Sequence, residues 1–359
     1  MLKDGAKMKV IEENLVPQIE KALLETLGEV PLLRVRSIES PLGGKPTGTG
    51  LTLSIKGKGF ERTIVVETKT NGQPRFAREA ANALARYSQL IPKAYPVFAA
   101  PYISEKAAEV CEADGIGYID LAGNCLLKFD GIYIERTGSP NHFSEKRELK
   151  SLFSPKATRV LRVLLDLPSR AWKLQDLARE AQVSLGQTSN VKRLLSTREW
   201  IGEGKEGLTL VEPERLLMEW ARSYSYRKNN PRDFFSLLDI SNLEASLTET
   251  CKKKGWRYAL TGFSAAARLA PAVRYSRAMA YFEGDIQALS ALLNLKEVPS
   301  GPNLTVLAPY DEGVFYGLTE LGGYCLASAA QVYLDLAGFR GRGEEAAEAI
   351  LREVLKPKW

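Results

Sequence analysis

Histidine and cysteine are scarce in this chain of 359 residues. The single histidine, His142, argues against a metal site built from histidines and against a Ser-His-Asp catalytic triad. The four cysteines are far apart and form no CxxC pair, so the sequence indicates neither a zinc knuckle nor a disulfide framework; they are Cys111, Cys125, Cys251 and Cys325. We interpret them as small buried apolar residues in a reducing compartment.

Long apolar runs are also missing. No stretch approaches the length of a membrane span, and the opening segment MLKDGAKMKVIEENL lacks the apolar core of a signal peptide. A hydrophobic content of 45% with 26% charged residues is ordinary for a globular protein. The length fits two or three domains. We therefore expect a cytoplasmic multidomain protein with no membrane partner.

Positive charge is unevenly distributed along the chain. Residues 1–145 contain 18 basic and 18 acidic residues, residues 146–229 contain 17 and 10, and residues 230–359 contain 14 and 15. The middle segment, with a net charge of +7, therefore accounts for all of the formal net charge of +6. A polyanionic partner is expected to bind there.

Three short helices are predicted in this middle segment. Apolar residues recur at helical spacing from Ala157 to Leu165, and a second amphipathic helix is predicted from Leu174 to Ala181. After the turn Gln182–Ser184 comes a third helix, whose apolar residues are expected to face inward; these are Leu185, Val191, Leu194 and Leu195.

A β-hairpin is predicted to follow the third helix. Trp200-Ile201 and Leu208–Val211 flank the Gly-rich tip Gly202–Gly207. Three helices with a tight second turn and then a hairpin resemble a winged helix-turn-helix domain, here residues 151–226. That resemblance implies a third helix that lies in the DNA major groove.

The third helix and the hairpin supply the candidate DNA-binding residues. Ser184 suits the N-cap of the helix. The outward positions are donors and acceptors suited to base edges and phosphates, with no carboxylate among them: Gln187, Ser189, Asn190, Lys192 and Arg193. In the hairpin tip, Lys205 favours a phosphate contact, whereas Glu203 and Glu206 disfavour one. The alternative is a solvated outer face in a winged helix used for dimerisation or other protein contacts.

Residues 1–145 are predicted to form an α/β layering around a mixed sheet. The predicted helices are Val10–Leu27, Arg75–Leu90 and Ser104–Asp114. The predicted strands are Leu32–Ile38, Leu51–Ile55, Thr63–Thr68, Tyr95–Ala99, Gly117–Leu121 and Cys125–Phe129. One side of the first helix is expected to carry its apolar residues Ile11, Leu15, Ile19, Leu23, Leu24 and Leu27.

The stretch VVETKTNGQPR places Glu67 and Lys69 two residues apart on a strand, so both side chains point to one face. With the strand order, this resembles the restriction-endonuclease-like, PD-(D/E)xK, superfamily. The resemblance implies an acid that helps to hold Mg²⁺ and a lysine that assists the attacking water or stabilises the phosphate charge. The superfamily needs an earlier carboxylate, but Lys45–Leu53 contains no acid; Glu20 is a candidate substitute. We therefore interpret the domain as degenerate, with Glu67 and Lys69 as a residual polar pair or a phosphate contact.

A tight turn is predicted in GYIDLAGNC, residues Gly117–Cys125. Asp120 and Asn124 either line a site at the edge of the sheet or hydrogen-bond the turn backbone. We favour the second interpretation, because these residue types stabilise turns in this way.

Residues 230–359 predict a second α/β domain. The predicted helices are Leu243–Lys254, Ala265–Leu269, Ile286–Leu293 and Gly343–Leu355, after a connecting helix Glu214–Tyr226 and a polar break Arg227–Arg232. The predicted strands are Trp256–Leu260, Ala278–Phe282, Thr305–Val306 and Gly323–Cys325.

The stretch LTGFSAA, Leu260–Ala266, resembles the start of minimal nucleotidyltransferase domains. The resemblance implies a Gly-Ser turn that binds a triphosphate at a helix N-terminus. It also implies two metal-binding carboxylates on the next strand, a part that Glu283 and Asp285 would fill. The alternative is a helix-capping turn without a nucleotide and a strand-end turn at Glu283.

The closing stretch CLASAAQVYLDLAGFRGRGEEAAEAIL, Cys325–Leu351, is similar to the end of AbiE-type antitoxins of type IV toxin–antitoxin systems. The positions that carry the likeness, together with LTGFSAA, are Ser328, Gln331, Asp335, Arg340, Gly341, Arg342, Gly343, Ala346 and Ala347. Those proteins combine a winged helix with a larger α/β domain, and the antitoxin represses its own operon. The likeness covers residues 150–359, although the simplest antitoxins begin with the winged helix.

The sequence thus predicts an α/β multidomain protein. Its domains are a degenerate restriction-endonuclease-like domain (1–145), a winged helix-turn-helix (151–226) and a nucleotidyltransferase-like domain (230–359). The first hypothesis is an antitoxin-like DNA-binding regulator that binds double-stranded DNA as a homodimer and has a cognate toxin or another protein as its candidate partner. It needs no cofactor and no catalytic residue. The alternatives are a Mg²⁺-dependent nuclease using Glu67 and Lys69, a nucleotidyltransferase, and a protein-binding scaffold.

Overall fold

A computed structural model describes residues 2–31, 33–37, 49–141, 151–339 and 341–359. The chain divides into two compact units, Met1–Glu148 with Ser196–Glu199, and Leu149–Leu195 with Trp200–Trp359. Each unit contains a seven-stranded sheet with both parallel and antiparallel neighbours, so the predicted mixed α/β class is confirmed. No helix among the described residues is long and apolar enough to cross a membrane.

The first unit places its strands in the order of the chain. Its elements are α1 (Leu2–Gly28), β1 (Arg34–Ser37), β2 (Thr49–Gly57), β3 (Phe60–Thr68), α2 (Pro74–Leu90), β4 (Ala94–Ala100), α3 (Glu105–Ala113), β5 (Gly117–Asp120), β6 (Cys125–Phe129) and β7 (Ile132–Arg136). The central pairs β3–β4 and β4–β5 are parallel, and the outer pairs are antiparallel.

Both faces of this first sheet are covered. The α1 helix packs on one face through Ile19, Leu23 and other residues at helical spacing. The α2 and α3 helices pack on the other. The pleat of β3 explains the division, because Ile64 joins the α1 core whereas the adjacent Val65 joins the α2 core. Leu24, predicted to face the core, is instead 37% exposed.

Most predicted elements of the first unit are present, with ends shifted by a few residues. The β7 strand was not predicted, because its alternating polar residues suit an exposed edge strand. Several predictions concern residues outside the described ranges: the strand ends Leu32 and Ile38, the first four residues of the acid-free stretch Lys45–Leu53, His142, and Arg340 of the antitoxin likeness.

The second unit begins with helices and a hairpin and continues into its own sheet. Its elements are α4 (Pro155–Asp166), α5 (Leu174–Glu180), α6 (Leu185–Thr197), β8 (Ile201–Gly204), β9 (Gly207–Leu210), α7 (Pro213–Ser223), β10 (Pro231–Phe235), α8 (Ile240–Lys254), β11 (Arg257–Leu260), α9 (Gly262–Leu269), β12 (Ala278–Glu283), α10 (Ile286–Leu292), β13 (Lys296–Glu297), β14 (Leu304–Leu307), β15 (Thr319–Leu321), β16 (Tyr324–Leu326), α11 (Ala329–Ala337) and α12 (Arg342–Ile350). The sheet order is β13-β10-β14-β12-β11-β16-β15.

Four elements of this unit were not predicted: β10, β13, β15 and α11. The predicted polar break Arg227–Arg232 is wrong in part, because β10 begins at Pro231. Its polar start is stabilised by a tertiary contact, since the Thr305 hydroxyl donates to Asp233 across the β10–β14 pair at 2.6 Å.

One buried core extends through the whole second unit. Leu161 of α4 and Trp220 of α7 belong to the same apolar cluster as Tyr281 of β12 and Leu334 of α11. Elements on both sides of the predicted boundary at residues 226–230 therefore contribute to a single core.

Candidate nucleic-acid interface

The α4, α5 and α6 helices and the β8–β9 hairpin form a compact group within the second unit. The chain reverses between α5 and α6 at Gln182, whose φ of 52° lies in the left-handed region. Trp172, just before α5, exchanges two backbone hydrogen bonds with Leu208 of β9, at 2.8 and 2.9 Å. This bridge adds a third short strand segment to the hairpin and fixes it against the helices.

The α6 helix has a buried face and a polar outer face. Val191, Leu194 and Leu195 are buried, as predicted. Leu185 is 47% exposed, so its predicted inward orientation is wrong. It is the first residue of the helix, and Thr188 occupies the inward position one turn later, fully buried.

Ser184 caps the α6 helix, in agreement with the prediction. Its hydroxyl accepts a hydrogen bond from the Gln187 backbone N–H at 3.2 Å, which satisfies one of the unpaired donors of the first turn. Its backbone carbonyl also accepts the Thr188 hydroxyl at 3.1 Å. The cap therefore defines where the outer face of α6 begins.

The predicted outward residues of α6 lie together. Gln187, Asn190 and Arg193 recur every three residues and so share one side of the helix. Arg193 donates to the Asn190 side-chain oxygen at 3.1 Å, and the Asn190 amide reaches the Ser151 hydroxyl at 3.4 Å. Ser189 is exposed beside them. Amide and guanidinium groups on this surface match the edges that bases present in the major groove.

Lys192 forms an ion pair that was not predicted. Its ammonium lies 2.6 Å from a carboxylate oxygen of Glu203 in β8, with side-chain exposures of 34% and 50%. The pair connects the outer face of α6 to the hairpin. Lys205, in the turn between β8 and β9, is exposed next to Glu206. Lys192 and Lys205, both predicted to contact phosphates, thus have acidic neighbours, and Lys192 is in direct contact with its neighbour Glu203.

The two residues of the nuclease-like motif in the first unit, buried Glu67 and partly exposed Lys69, pair with each other. Glu67 is 3% exposed, and its carboxylate accepts the Lys69 ammonium at 2.9 Å. Within the described ranges, no group of three or more His, Cys, Asp or Glu side chains is arranged to hold a metal ion. The one carboxylate at the end of β3 is thus already paired with a lysine. These contacts agree with the interpretation of a residual polar pair.

Asp120 has a structural role in its turn. One carboxylate oxygen accepts the backbone N–H groups of Ala122 and Asn124, at 2.9 and 2.8 Å. The other accepts the Ile103 N–H at 3.1 Å and the Asn124 amide at 2.8 Å. The preferred interpretation, hydrogen bonding of turn backbone, is confirmed.

The Gly-Ser turn of the nucleotidyltransferase-like stretch is packed against β12. A Cβ atom at Gly262 would lie 2.6 Å from the Met279 sulfur, and the buried Ser264 hydroxyl accepts the Met279 N–H at 2.9 Å. Asp285 accepts two N–H groups as the cap of α10, while Glu283 lies 3.7 Å from Arg257. The predicted helix-capping role of the Gly-Ser turn is therefore wrong, because both residues lie within α9 and its N-cap Thr261 makes no side-chain cap hydrogen bond.

A buried polar cluster connects the helical group to the second sheet, and no pattern along the chain indicated that it would assemble. Asp335 of α11, fully buried, accepts hydroxyl groups from Thr261, Tyr224 and Tyr281 at 2.5 to 2.9 Å. The Gln331 side-chain N–H donates to Asp335, and the Gln331 side-chain oxygen accepts the guanidinium of Arg162 of α4 at 2.6 Å. Burial raises the pKa of Asp335, and the hydrogen bonds from Thr261 and its neighbours oppose that rise. Burial, with the nearby charge of Asp335, raises the pKa values of Tyr224 and Tyr281 well above 10.

The sequence favours an ion pair of Arg342 with Glu345 or Asp335 over the binding of an anion by Arg342. Its guanidinium donates to the Arg274 carbonyl at 3.5 Å. Asp335 accepts the hydroxyl groups of the buried cluster.

A protein-family model described as "Transcriptional regulator, AbiEi antitoxin, Type IV TA system" matches residues 209–356. The match begins in β9 and runs through the second sheet beyond α12, so it includes the stretches on which the antitoxin likeness was based. It starts later than the expected residue 150 and does not include α6. No curated protein and no solved structure matched the chain significantly.

Proposed function

We propose that this protein is an antitoxin-like transcriptional regulator that binds duplex DNA through α6 and the β8–β9 hairpin. The observation that carries the proposal is the outer face of α6, where amide, hydroxyl and basic side chains stand together beside an exposed hairpin. This face belongs to the segment that holds a net charge of +7. The family match over residues 209–356 supports a role in transcriptional regulation.

Each polar residue then has a defined task. Gln187 and Asn190 read base edges, and Arg193 orients Asn190 through its hydrogen bond while it faces a phosphate. Lys205 contacts a second phosphate. Lys192 contacts a third after it exchanges the Glu203 carboxylate for the DNA backbone. The N-terminal turn of α6, capped by Ser184, approaches the groove, a favourable end for anionic phosphates.

Two copies of the protein act on one operator in this proposal. A single helix and hairpin of this size contact too few bases for specific binding, so a homodimer on paired half-sites is required. A cognate toxin or another protein is the partner that the antitoxin family implies. The regulator reads DNA without a metal or cofactor.

The test is fluorescence anisotropy of the purified protein on its own upstream DNA over a series of salt concentrations. The Lys192→Ala, Arg193→Ala double variant should weaken binding and reduce the slope of log K against log salt by about 1.8, or 0.9 for each lost phosphate contact. The matched control removes the same charge from the exposed end of α8, as Lys253→Ala with Lys254→Ala. Equal affinities and slopes for both double variants would show that α6 is not the DNA-reading helix.

For residues 1–145 we propose a degenerate restriction-endonuclease-like domain. The order α1-β1-β2-β3-α2-β4, with β3 parallel to β4 and the Glu67–Lys69 pair at the end of β3, supports this assignment. The nuclease alternative predicts DNA cleavage with Mg²⁺ or Mn²⁺ that Glu67→Ala abolishes. Intact DNA after incubation with the wild-type protein and either metal would exclude it.

A further inference from the structure

A cleft of about 390 Å³ opens in the second unit beside the turn that leads into α6. One wall is the end of α5 and the following turn, from Arg179 to Gln182. Arg159 of α4, Arg257 of β11 and the turn Glu312–Tyr316 of the sheet-containing part complete the lining. The cleft therefore lies where the helical group meets the body of the unit.

The floor of the cleft is closely packed and fixed. A Cβ atom at Gly313 would lie 2.9 Å from the Arg159 side chain and 2.8 Å from Asp311, so only glycine allows this approach. Arg159 donates to both oxygens of Asp311, at 2.8 to 3.1 Å, and to Glu312 at 2.8 Å. The hydrogen bond to Asp311 raises the Arg159 pKa. Arg159 thus forms part of the scaffold.

Two other arginines of the lining make only long ion pairs with carboxylates. Arg179 of α5 lies 3.4 Å from Asp176, and Arg257 of β11 lies 3.7 Å from Glu283. The Arg257 guanidinium is positioned 4.3 Å above the Phe315 ring. The two carboxylates that line the cleft bond to other lining residues, since Glu180 accepts the Tyr316 hydroxyl at 3.0 Å and Glu312 accepts Arg159 at 2.8 Å.

We propose that this cleft binds a small phosphate-bearing anion held between Arg179 and Arg257. A guanidinium forms paired, charge-assisted hydrogen bonds of about 2.7–2.9 Å to phosphate oxygens, which are better than the long ion pairs it would replace. The cleft volume falls in the range of small-molecule sites, roughly 300–1,000 Å³.

The bound anion would connect α5 to the body of the unit. Because α6 follows α5 after the short turn Gln182–Ser184, a ligand that fixes α5 alters how α6 is presented to DNA. The ligand can change the affinity for DNA only by the factor by which the ligand itself prefers one arrangement of α5 over the other. The cleft is thus an effector site, separate from the DNA-reading face, and this role rests on the proposed function.

The experiment measures ligand binding without DNA, by calorimetry of the full chain with two probes, inorganic phosphate and ATP. Arg179→Gln and Arg257→Gln should each weaken binding about tenfold or more, because each removes one of the two guanidinium groups. Arg257→Lys keeps the charge and should recover only part of the affinity. Arg232→Gln is the control, since Arg232 pairs with Glu297 at the opposite edge of the sheet.

Binding of both probes through these arginines identifies a general phosphate site, and binding of ATP alone identifies a nucleotide site; either result supports the proposal. If the wild-type protein binds neither probe at about 10 mM, a concentration at which even a millimolar site would be largely filled, the proposal is wrong. It is equally wrong if both glutamine variants bind like the wild type. A bound ligand that leaves DNA affinity unchanged would overturn the effector role, whereas failure to bind DNA at all would refute only the proposed function.

Discussion

The ion pair between Lys192 and Glu203 leads to a quantitative prediction for DNA binding. In the free protein, the Glu203 carboxylate is paired with the Lys192 ammonium, the group proposed to contact a phosphate. In the proposed complex, DNA must therefore compete with Glu203 for Lys192. Glu203→Gln removes that competitor and one negative charge near the DNA, so the variant should bind DNA more tightly than the wild type.

The expected increase in affinity follows from the exposure of the pair. A partly exposed ion pair of this kind contributes about 0.2–1 kcal/mol, which corresponds to about 1.4- to 5-fold in DNA affinity. Because Lys192 contacts the same phosphate in both complexes, the slope of the log–log salt dependence should stay about the same.

The assay is the same anisotropy titration, with two comparisons that isolate the pair. Glu206→Gln removes an equal charge from the exposed tip of the hairpin and should produce a smaller increase in affinity. In a Lys192→Ala background, Glu203→Gln should lose most of its effect, because the partner it releases is gone. An equal increase in both backgrounds would mean that simple charge repulsion, and not the ion pair, limits binding, and the reasoning would be refuted.

Three further predictions concern stability. Burial raises the pKa of Asp335, so the folded state keeps the Asp335 proton at pH values above the ordinary pKa of 3.8, where the unfolded state has lost it. The free energy of unfolding of the wild type, relative to that of Asp335→Asn, should therefore fall as the pH rises from about 4 through the folded pKa. Urea unfolding of both proteins across that range measures this, and a constant difference would contradict it. Asp120→Ala should lower the free energy of unfolding by about 3 kcal/mol in a denaturant titration, since several buried donors lose their acceptor; a loss below about 1 kcal/mol would contradict the assigned role. Gly207→Ala should lower it by about 1–3 kcal/mol and weaken DNA binding, because φ is 139° and the added Cβ would lie 2.4 Å from the Trp172 carbonyl. Gly204→Ala, whose Cβ has no neighbour closer than 3.9 Å, is its control and should be nearly neutral.

Local features of this protein were predictable from sequence because the interacting groups are close along the chain. Ser184 caps α6 by accepting the backbone N–H of Gln187, and Asp120 bonds its own turn; in both cases a side chain reaches neighbouring backbone. The alternation of Ile64 and Val65 likewise follows from the pleat of a strand covered on both faces. Strands such as β7 and β10 were missed, because their polar residues resemble loops until a neighbouring strand pairs with them.

Tertiary structure alone decided which distant side chains meet. Glu203 joins Lys192 across the gap between the helix and the hairpin, and Arg162 reaches Gln331, 169 positions further along the chain. Nothing in the local sequence separates Asp335 from an exposed helical aspartate, because its role depends on hydroxyl groups supplied by other elements. The sequence by itself determined most of the elements, the segregation of charge and the polar face of α6. Folding determined which of those charges are already paired, since that depends on distances between residues that no spacing along the chain specifies.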